Sequence, residues 1–368
     1  MTDGMLLSRT ALYEAHLSCD GKMVPFGGWE MPIQYTTGIL AETRSVRSHV
    51  GMFDVSHMGR IEIRGKNAAD LVHWIVTQDI LGLEIGKARY SFLCTEDGGI
   101  LDDVVIYRLG TDHLLMVCNA ANRPVVWQWL DSWVKTYKDV SIEDITTDTV
   151  MIAVQGPNSV SLIESVAPNV DLPRHPFTVA SSNMNGFKLL IGRTGYTGEN
   201  GFEIIAPAGD GLTIWNMLCE AGASPCGLGS RDLLRLEASL LLHGNDIGLW
   251  ANPVEAGLER FVNFNKQAFI GMDAIRLAKT QGSRKRLIGF VMQERGIARA
   301  THSIFTNEEE IGTVTSGGYS PTLDKSIGLG YVPIEHSRPG TPLLINVRGK
   351  FIPAVVVTLP FYSRKRQV

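Results

Sequence analysis

Two adjacent carboxylates, Asp102 and Asp103, stand inside an otherwise apolar run, Ile100-Leu-Asp-Asp-Val-Val-Ile106. Such a pair could hold a proton or stabilise developing positive charge. In a strand the two side chains point to opposite faces. One can flank a turn in water, and the other, turned inward, is costly unless paired or used. Glycine-flanked polar segments recur elsewhere. They are Phe26-Gly-Gly-Trp-Glu-Met-Pro32, Phe53-Asp-Val-Ser-His-Met-Gly59, Gly98-Gly-Ile-Leu-Asp-Asp103, Gly192-Arg-Thr-Gly-Tyr-Thr-Gly-Glu-Asn-Gly-Phe-Glu203 and Gly227-Leu-Gly-Ser-Arg-Asp-Leu-Leu-Arg-Leu-Glu237. Glycine lets the backbone turn sharply and approach a ligand. Tyr196 and Glu203 flank one such loop, although a plain hairpin would also explain it. Arg231 and Arg235, four apart in a helical run, share a face. A solvated charged stripe accounts for them equally well, and Asp232 is expected on a different face.

Several chemistries lack their motifs. No GxxxxGK[ST] loop, GxGxxG turn, GxSxG elbow or HExxH pair is present. His49 and His57 lack metal-ligand spacing, and a lone His57 is more often a hydrogen-bonded structural residue. The five cysteines, Cys19, Cys94, Cys118, Cys219 and Cys226, are widely spaced with no CxxC. That excludes a disulfide framework and zinc-site spacing.

The elements that must position these residues alternate in type. Residues 36–50 read as an amphipathic helix and 60–64 as a half-buried strand. Residues 90–94 and 100–109 read as a hairpin around Asp97-Gly98, with 113–119 as a third strand. Residues 151–157 read as a strand ending in Gly-Pro, and 187–207 as two strands around the glycine-rich loop. Helices are expected at 68–77, 124–137, 158–167, 212–221 and 231–244. From about residue 284 short strands separated by Gly, Pro and Asp predict a small all-β unit. The stretch 278–286 is expected to be the linker into it.

With 368 residues, two or three domains are expected. Hydrophobic residues make up 44% and charged residues 20%, enough apolar surface to order a core. The net charge of −4 argues against nucleic-acid binding, which needs a basic surface. No run of about 18 apolar residues suggests a membrane span, and the N-terminus lacks the pattern of a leader. A cytoplasmic location is the expectation.

The glycine-flanked segments, in this order, resemble the aminomethyltransferases (T-proteins) of the glycine cleavage system. The resemblance continues through Gly244-Asn-Asp-Ile247, Pro253-Val-Glu-Ala-Gly-Leu258, Phe269-Ile-Gly271 and Thr315-Ser-Gly-Gly-Tyr-Ser-Pro321, so it spans nearly the whole chain. It implies an α+β, three-domain cloverleaf around a central folate cavity, with a C-terminal β-barrel or jelly-roll-like domain. The expected domains are 1–52 with 140–225, 53–139 with 226–280, and 281–368. The implied reaction moves the methylene of an aminomethyl group, carried on the lipoyl arm of H-protein, to tetrahydrofolate. It releases ammonia and gives 5,10-methylenetetrahydrofolate. Tetrahydrofolate is thus a co-substrate, H-protein a transient partner, and neither a metal, a nucleic acid nor a membrane is implied.

The resemblance also carries residue roles. Asp103 matches the functional aspartate, which would orient the folate amine as positive charge develops. Glu203 would read the adjacent donors of the pterin with its two acceptor oxygens. Arg231 would hold a folate carbonyl or carboxylate. Tyr90, Asn119 and Tyr196 would face the folate, with Met58 and Val117 as apolar wall. Arg235 and Glu237 are expected to pair structurally, and Glu199 to be exposed. The chain departs from the family at His243, where Tyr is common, and in Gly248-Leu-Trp-Ala-Asn-Pro253, which replaces a more acidic stretch. That loop could alter donor choice, so a tetrahydrofolate-dependent demethylase on the same fold is the alternative. A non-catalytic folate-binding helper is a further one, although the Lys-Gly-Cys motif of such helpers is absent. Basic clusters that could steer an acidic H-protein are Arg284-Lys285-Arg286 and Arg364-Lys365-Arg366.

Overall fold

The computed structural model describes residues 7–307 and 309–364. Two large sheets, a two-stranded sheet of Lys22–Phe26 and Trp29–Gln34, and a barrel make up the β structure. The first sheet has six strands in the order Val179–Met184, Phe187–Gly192, Gly201–Pro207, Thr149–Gln155, Gly51–Asp54 and Ser224–Pro225. The second has five, in the order Ala88–Cys94, Ile100–Gly110, His113–Cys118, Gly59–Arg64 and Ser141–Asp144. The third unit is a closed six-stranded barrel running from Lys285–Met292 to Lys350–Val357. The α+β class with a C-terminal β unit is therefore as expected, and that unit is a barrel. Its strand Ser303–Thr306 escaped the sequence reading because four residues are too short for a visible alternation.

The hairpin that carries the carboxylates forms where Asp97-Gly98 was expected to turn. Gly98 takes φ +86°, a conformation that suits glycine. The pairing then runs Tyr90↔Val105 and Leu93↔Asp102, and slips by one residue before Cys94↔Ile100. A β-bulge of this kind re-aims the side chains beside it.

Period-two alternation divides each sheet between two cores. The outer face of the second sheet (Ile61, Ile63, Val104, Ile106, Leu114, Met116) packs on helices Ala68–Ile75 and Arg123–Val134. Its inner face meets the first sheet in a shared core of Phe53, Tyr107, Val117, Met151, Ala153 and Ile205. Val117 is buried in this core and Met58 packs against it. Close approach of the two sheets depends on Gly192. A Cβ at that position would stand 2.8 Å from the Tyr107 ring.

Sheet membership departs from the expected boundaries. Ser141–Asp144 is the edge strand of the second sheet, held by its ladder to Gly59–Arg64 and by Arg123 on Asp144 at 2.6 Å. Gly51–Asp54 lies wholly in the first sheet, paired to Thr149–Gln155. Helix Leu228–Glu237 packs on helix Ile39–Ser48 and strand Trp29–Gln34 as well as on the barrel. The expected linker is half helix, since Met272–Gln281 is helical up to Gly282.

One helix is shorter than its sequence suggests. The run 231–244 was expected to be helical throughout, but the helix ends at Glu237. Ser239 takes φ +57°, and the Leu240 N–H turns back to the Arg235 carbonyl at 2.8 Å. Residues 240–247 then form a tight loop. Among the described residues no helix is long and apolar enough to cross a membrane.

Candidate active site

The ladder brings three of the expected site residues together. Val105 pairs with Val117, so two residues along Asp103 comes opposite Asn119. The Asn119 side-chain amide donates to Asp103 Oδ1 at 2.7 Å and to Asp102 Oδ1 at 2.8 Å. Tyr90 lies diagonally across the hairpin, and its hydroxyl donates to Asp103 Oδ2 at 2.9 Å. Asp102 is not the solvated turn flank that pattern alone allowed. It is fully buried and also accepts the Asn119 backbone N–H at 3.1 Å.

Burial pushes both carboxyls above the ordinary carboxylate range. For Asp102 the neighbouring Asp103 charge adds to the effect. For Asp103 the Tyr90 hydroxyl, His243 and the Asn119 amide oppose it. The Tyr90 phenol is pushed far up, first by burial and then by Asp103, so it remains a neutral donor.

The remaining three residues form a second group. Glu203 sits on a central strand of the first sheet, opposite Gly192 and Ala153. Its Oε2 accepts from Thr194 at 2.5 Å and from Tyr107 at 3.4 Å. No bond to its Oε1 forms among the described residues. Arg231, in the first turn of helix Leu228–Glu237, lies over the Tyr196 ring at 4.8 Å. Its Nη1 is buried without a partner among the described residues. Burial lowers the Arg231 pKa while the Glu203 charge opposes that shift. Tyr196 donates to the Leu241 carbonyl at 2.5 Å. Burial pushes its phenol up, with Asp103 adding to the shift and Arg235 and Arg231 opposing it.

Residues 54–58 form a braced loop. Asp54 accepts from His16 at 2.9 Å, from Thr10 at 2.6 Å and from the Ser56 N–H at 2.8 Å. Arg60 is buried without a carboxylate partner among the described residues and donates to the Met58 carbonyl at 2.6 Å and the Ser56 carbonyl at 3.0 Å. These bonds fix the loop that presents His57. The His57 ring is buried, its Nδ1 has no partner among the described residues, and Phe26 packs on it edge-on at 5.7 Å. It is therefore not the hydrogen-bonded structural histidine expected. Burial, against the pull of Asp54, takes its pKa down to about 4, so it is neutral at physiological pH.

Charged neighbours settle differently from expectation in two cases. Glu199 is buried, bonded to Arg47 at 2.8 Å and to the Tyr362 hydroxyl at 2.7 Å. Asp232 reaches Arg235 at 2.7 Å, because residues three apart are helix neighbours. Arg235 and Glu237 do pair structurally, with Asp246 at 2.5 Å and Arg47 at 2.8 Å. Sequence reasoning passed over Tyr107 and Thr194 as partners of Glu203. Tyr107 was accessible to it, since 103, 105 and 107 share one strand face.

The two prominent clefts lie elsewhere. One, of about 630 Å³, is lined by Gly244, Asn245, Trp250, Lys285 and barrel residues. The other, of about 690 Å³, is lined by Lys279, Arg284, Lys285, Arg286 and neighbours. None of the six candidate site residues lines either. In the first basic cluster Arg284 and Arg286 are exposed, while Lys285 donates to the Trp250 carbonyl at 2.9 Å. In the second, Arg364 bonds Asn200, and Lys365 and Arg366 lie outside the described residues.

Comparison with known proteins agrees with this architecture. Residues 12–266 match the GCVT N-terminal domain, and residues 285–363 match the glycine cleavage T-protein C-terminal barrel domain. An aminomethyltransferase of Symbiobacterium thermophilum is 42% identical over 366 residues, covering 97% of both chains. One from Picosynechococcus is 40% identical, covering 99% of this chain and all of that one. The crystal structure of glycine cleavage system aminomethyltransferase T from Bartonella henselae superposes with a TM-score of 0.91 at 34% identity. It covers 97% of this chain and 98% of its own.

Proposed function

Since the chain belongs to the glycine cleavage T-protein family and is an aminomethyltransferase of that system, we propose that its acceptor is tetrahydrofolate and its donor the aminomethyl-lipoyl arm of H-protein. The carrying observation is the opposition of two polar groups in one buried locus. Asp103, held by Tyr90 and Asn119, stands at one end. Glu203 and Arg231, each with an uncommitted polar atom, stand at the other. A buried guanidinium without an acceptor is costly, so a ligand carbonyl or carboxylate there would recover a charge-assisted bond. The open Glu203 oxygen suits the donor edge of a pterin. Tyr196 and Met58 would line the ring between them.

In this reading Asp103 orients the folate N5 and stabilises the positive charge that develops as the methylene is transferred. H-protein docks transiently, because its arm must enter, react and leave. All five cysteines are free, in keeping with a cytoplasmic enzyme. The named relatives favour aminomethyl transfer over the demethylase and helper alternatives.

The test has two arms. Reduced tetrahydrofolate, protected from oxidation, should raise the melting temperature by mass action. With aminomethylated H-protein added, methylenetetrahydrofolate and ammonia should appear together. No thermal shift at millimolar folate would sink the folate assignment. Folate binding without turnover would sink the donor assignment.

A further inference from the structure

Two buried carboxylates on adjacent residues need a compensating charge or a shared proton. The loop released by the early end of helix Leu228–Glu237 supplies a group for either. His243 Nδ1 stands 3.8 Å from Asp102 Oδ1, with side-chain exposures of 15% and 0%. Its Nε2 is buried and has no partner among the described residues. The imidazole therefore has one nitrogen facing the carboxylate pair and one that nothing in the fold satisfies.

The loop that carries His243 is clamped from four directions. Asp246 accepts from Arg235 at 2.5 Å, from the Leu242 N–H at 3.0 Å and from Thr315 of the barrel at 2.5 Å. Tyr331 of the barrel donates to the Asp246 carbonyl at 2.9 Å, and Tyr196 holds the Leu241 carbonyl. The backbone on either side of His243 is thus held beside the pair.

We propose that His243 is the proton-sharing partner of the Asp102–Asp103 pair, a positioning residue that sets which carboxylate is charged while the amine departs. Two proton arrangements carry the same net charge. In one, imidazolium faces two carboxylates; in the other, neutral imidazole faces one carboxylate and one carboxylic acid. They differ by an internal proton shift, which occurs when the imidazole turns to close the 3.8 Å gap to hydrogen-bond distance, so the pair can change its charge without exchanging a proton with water.

The purpose rests on the folate-transfer reading. In that reaction the donor's S–C and C–N bonds break, and two N–C bonds form to the folate. The bonding pairs remain with sulfur and nitrogen. The protons lost from N5 and N10 end on the lipoyl sulfur and on ammonia, so the site must pass protons within itself.

The other titratable groups near this unit are accounted for. Asp246 is neutralised by Arg235. The phenols of Tyr90 and Tyr196 are pushed up by burial and stay neutral. Arg231 lies toward Glu203.

The experiment uses the full chain. The His243 ring signals are assigned in nitrogen-15-labelled protein by their loss in His243→Gln, then titrated by NMR in wild type, Asp102→Asn and Asp103→Asn. The midpoint should fall when the Asp102 charge is removed. Asp103→Asn gives a second reading if Asp102→Asn folds poorly. With tetrahydrofolate and aminomethylated H-protein, His243→Gln should lower kcat on the order of tenfold or more. The KM for folate should change less than about twofold, one limb of the pH–kcat profile should move, and imidazole in the buffer should restore part of the rate to His243→Ala. A midpoint unchanged in both aspartate variants overturns the proposal, as does a His243→Gln enzyme with the wild-type pH profile. An inactive wild type with the coupled titration intact would instead overturn the folate-transfer reading alone.

Discussion

Replacing Asp103 by Asn separates what the carboxylate does for the reaction from what it does for the fold. Asp103 accepts from the Asn119 amide at 2.7 Å and from the Tyr90 hydroxyl at 2.9 Å. An asparagine can keep both contacts. Its carbonyl takes the Asn119 N–H, and its own amide donates to the Tyr90 hydroxyl, which then accepts. The Tyr90 O–H, which donated to the carboxylate, then loses its acceptor, at a cost of about 1–3 kcal/mol. The charge term acts in the opposite direction. Burial raises the Asp103 pKa in the folded protein, so above the ordinary carboxylate range the folded state binds more protons than the unfolded one. Stability then falls as pH rises through that window, and removing the ionisable group removes this loss. The two effects oppose each other, so Asp103→Asn should melt close to the wild-type temperature at neutral pH. Turnover should fall by about 10²–10³, the scale of losing one preorganised electrostatic contact to the transition state, while the folate dissociation constant changes far less. Asp102→Asn should be milder in turnover but harder on stability. Asp102 accepts two N–H groups from Asn119, and an amide can answer only one with its oxygen. The assays are differential scanning calorimetry, folate titration and initial rates. A marked drop in melting temperature for Asp103→Asn, or equal loss of turnover in both variants, refutes the assignment.

Glu203→Gln should weaken folate binding by about 1–3 kcal/mol, read as the dissociation constant by fluorescence or calorimetry; an unchanged constant means that Glu203 does not meet the pterin. His57 titrates at about 4 when folded and near 6.5 when unfolded, so the native state loses about 3 kcal/mol as pH falls from 6.5 to 4. His57→Gln should flatten denaturant stability across that window, and an unaltered slope would show that His57 is not held neutral. Arg47 bonds the buried Glu237 and Glu199, so Arg47→Met should cost about 3–5 kcal/mol in urea unfolding; a loss under about 1 kcal/mol would mean the pair is hydrated. Charge reversal of Arg284 and Arg286 should raise the apparent KM for H-protein and weaken its salt dependence, whereas unchanged kinetics would place the docking face elsewhere.

The strands that carry the site were legible because burial of one face writes itself into alternation. Val105 and Tyr107 continue the face of Asp103, and Asp97-Gly98 announces the turn that sets the register. What alternation cannot report is where the facing strand ends. That Asn119 would stand between two carboxylates depends on a bulge beside Leu93 and on the register of a third strand. The burial of Glu199 was equally hidden, since its partner Arg47 is 152 residues away. Resemblance supplied Glu203 and Arg231; nothing in their own spacing distinguished them from a hairpin flank and a solvated stripe. The run 231–244 was misread for a physical reason. Leu240, Leu241 and Leu242 have good helix propensity, but tertiary bonds override it. Asp246 can answer Arg235, Thr315 and the Leu242 N–H together only if the chain leaves the helix after Glu237.

That departure connects stability to the proposed chemistry. A continuous helix to residue 244 would carry His243 along the axis of helix Leu228–Glu237 and away from strand Ile100–Gly110. Ending it early lets the loop fold back, with the buried ion pair of Arg235 and Asp246 among its anchors, and places His243 3.8 Å from Asp102. The carboxylate pair is then costly to ionise without cationic charge nearby, because its hydrogen-bond donors Asn119 and Tyr90 are neutral. A site in this condition binds an uncharged reactant weakly and gains most when positive charge appears beside it. In the proposed transfer that charge develops on the folate nitrogen and the departing amine, so the interaction strengthens toward the transition state, which is the condition under which binding energy raises kcat. The same cost predicts where the fold is least tolerant. Asp246→Asn leaves the shape of the loop side chain intact but removes the charge that holds Arg235. It should move the pH–kcat profile in the same sense as His243→Gln while leaving Glu203 and folate affinity nearly untouched, and loss of folate binding with an unmoved profile would separate the loop from the carboxylate pair.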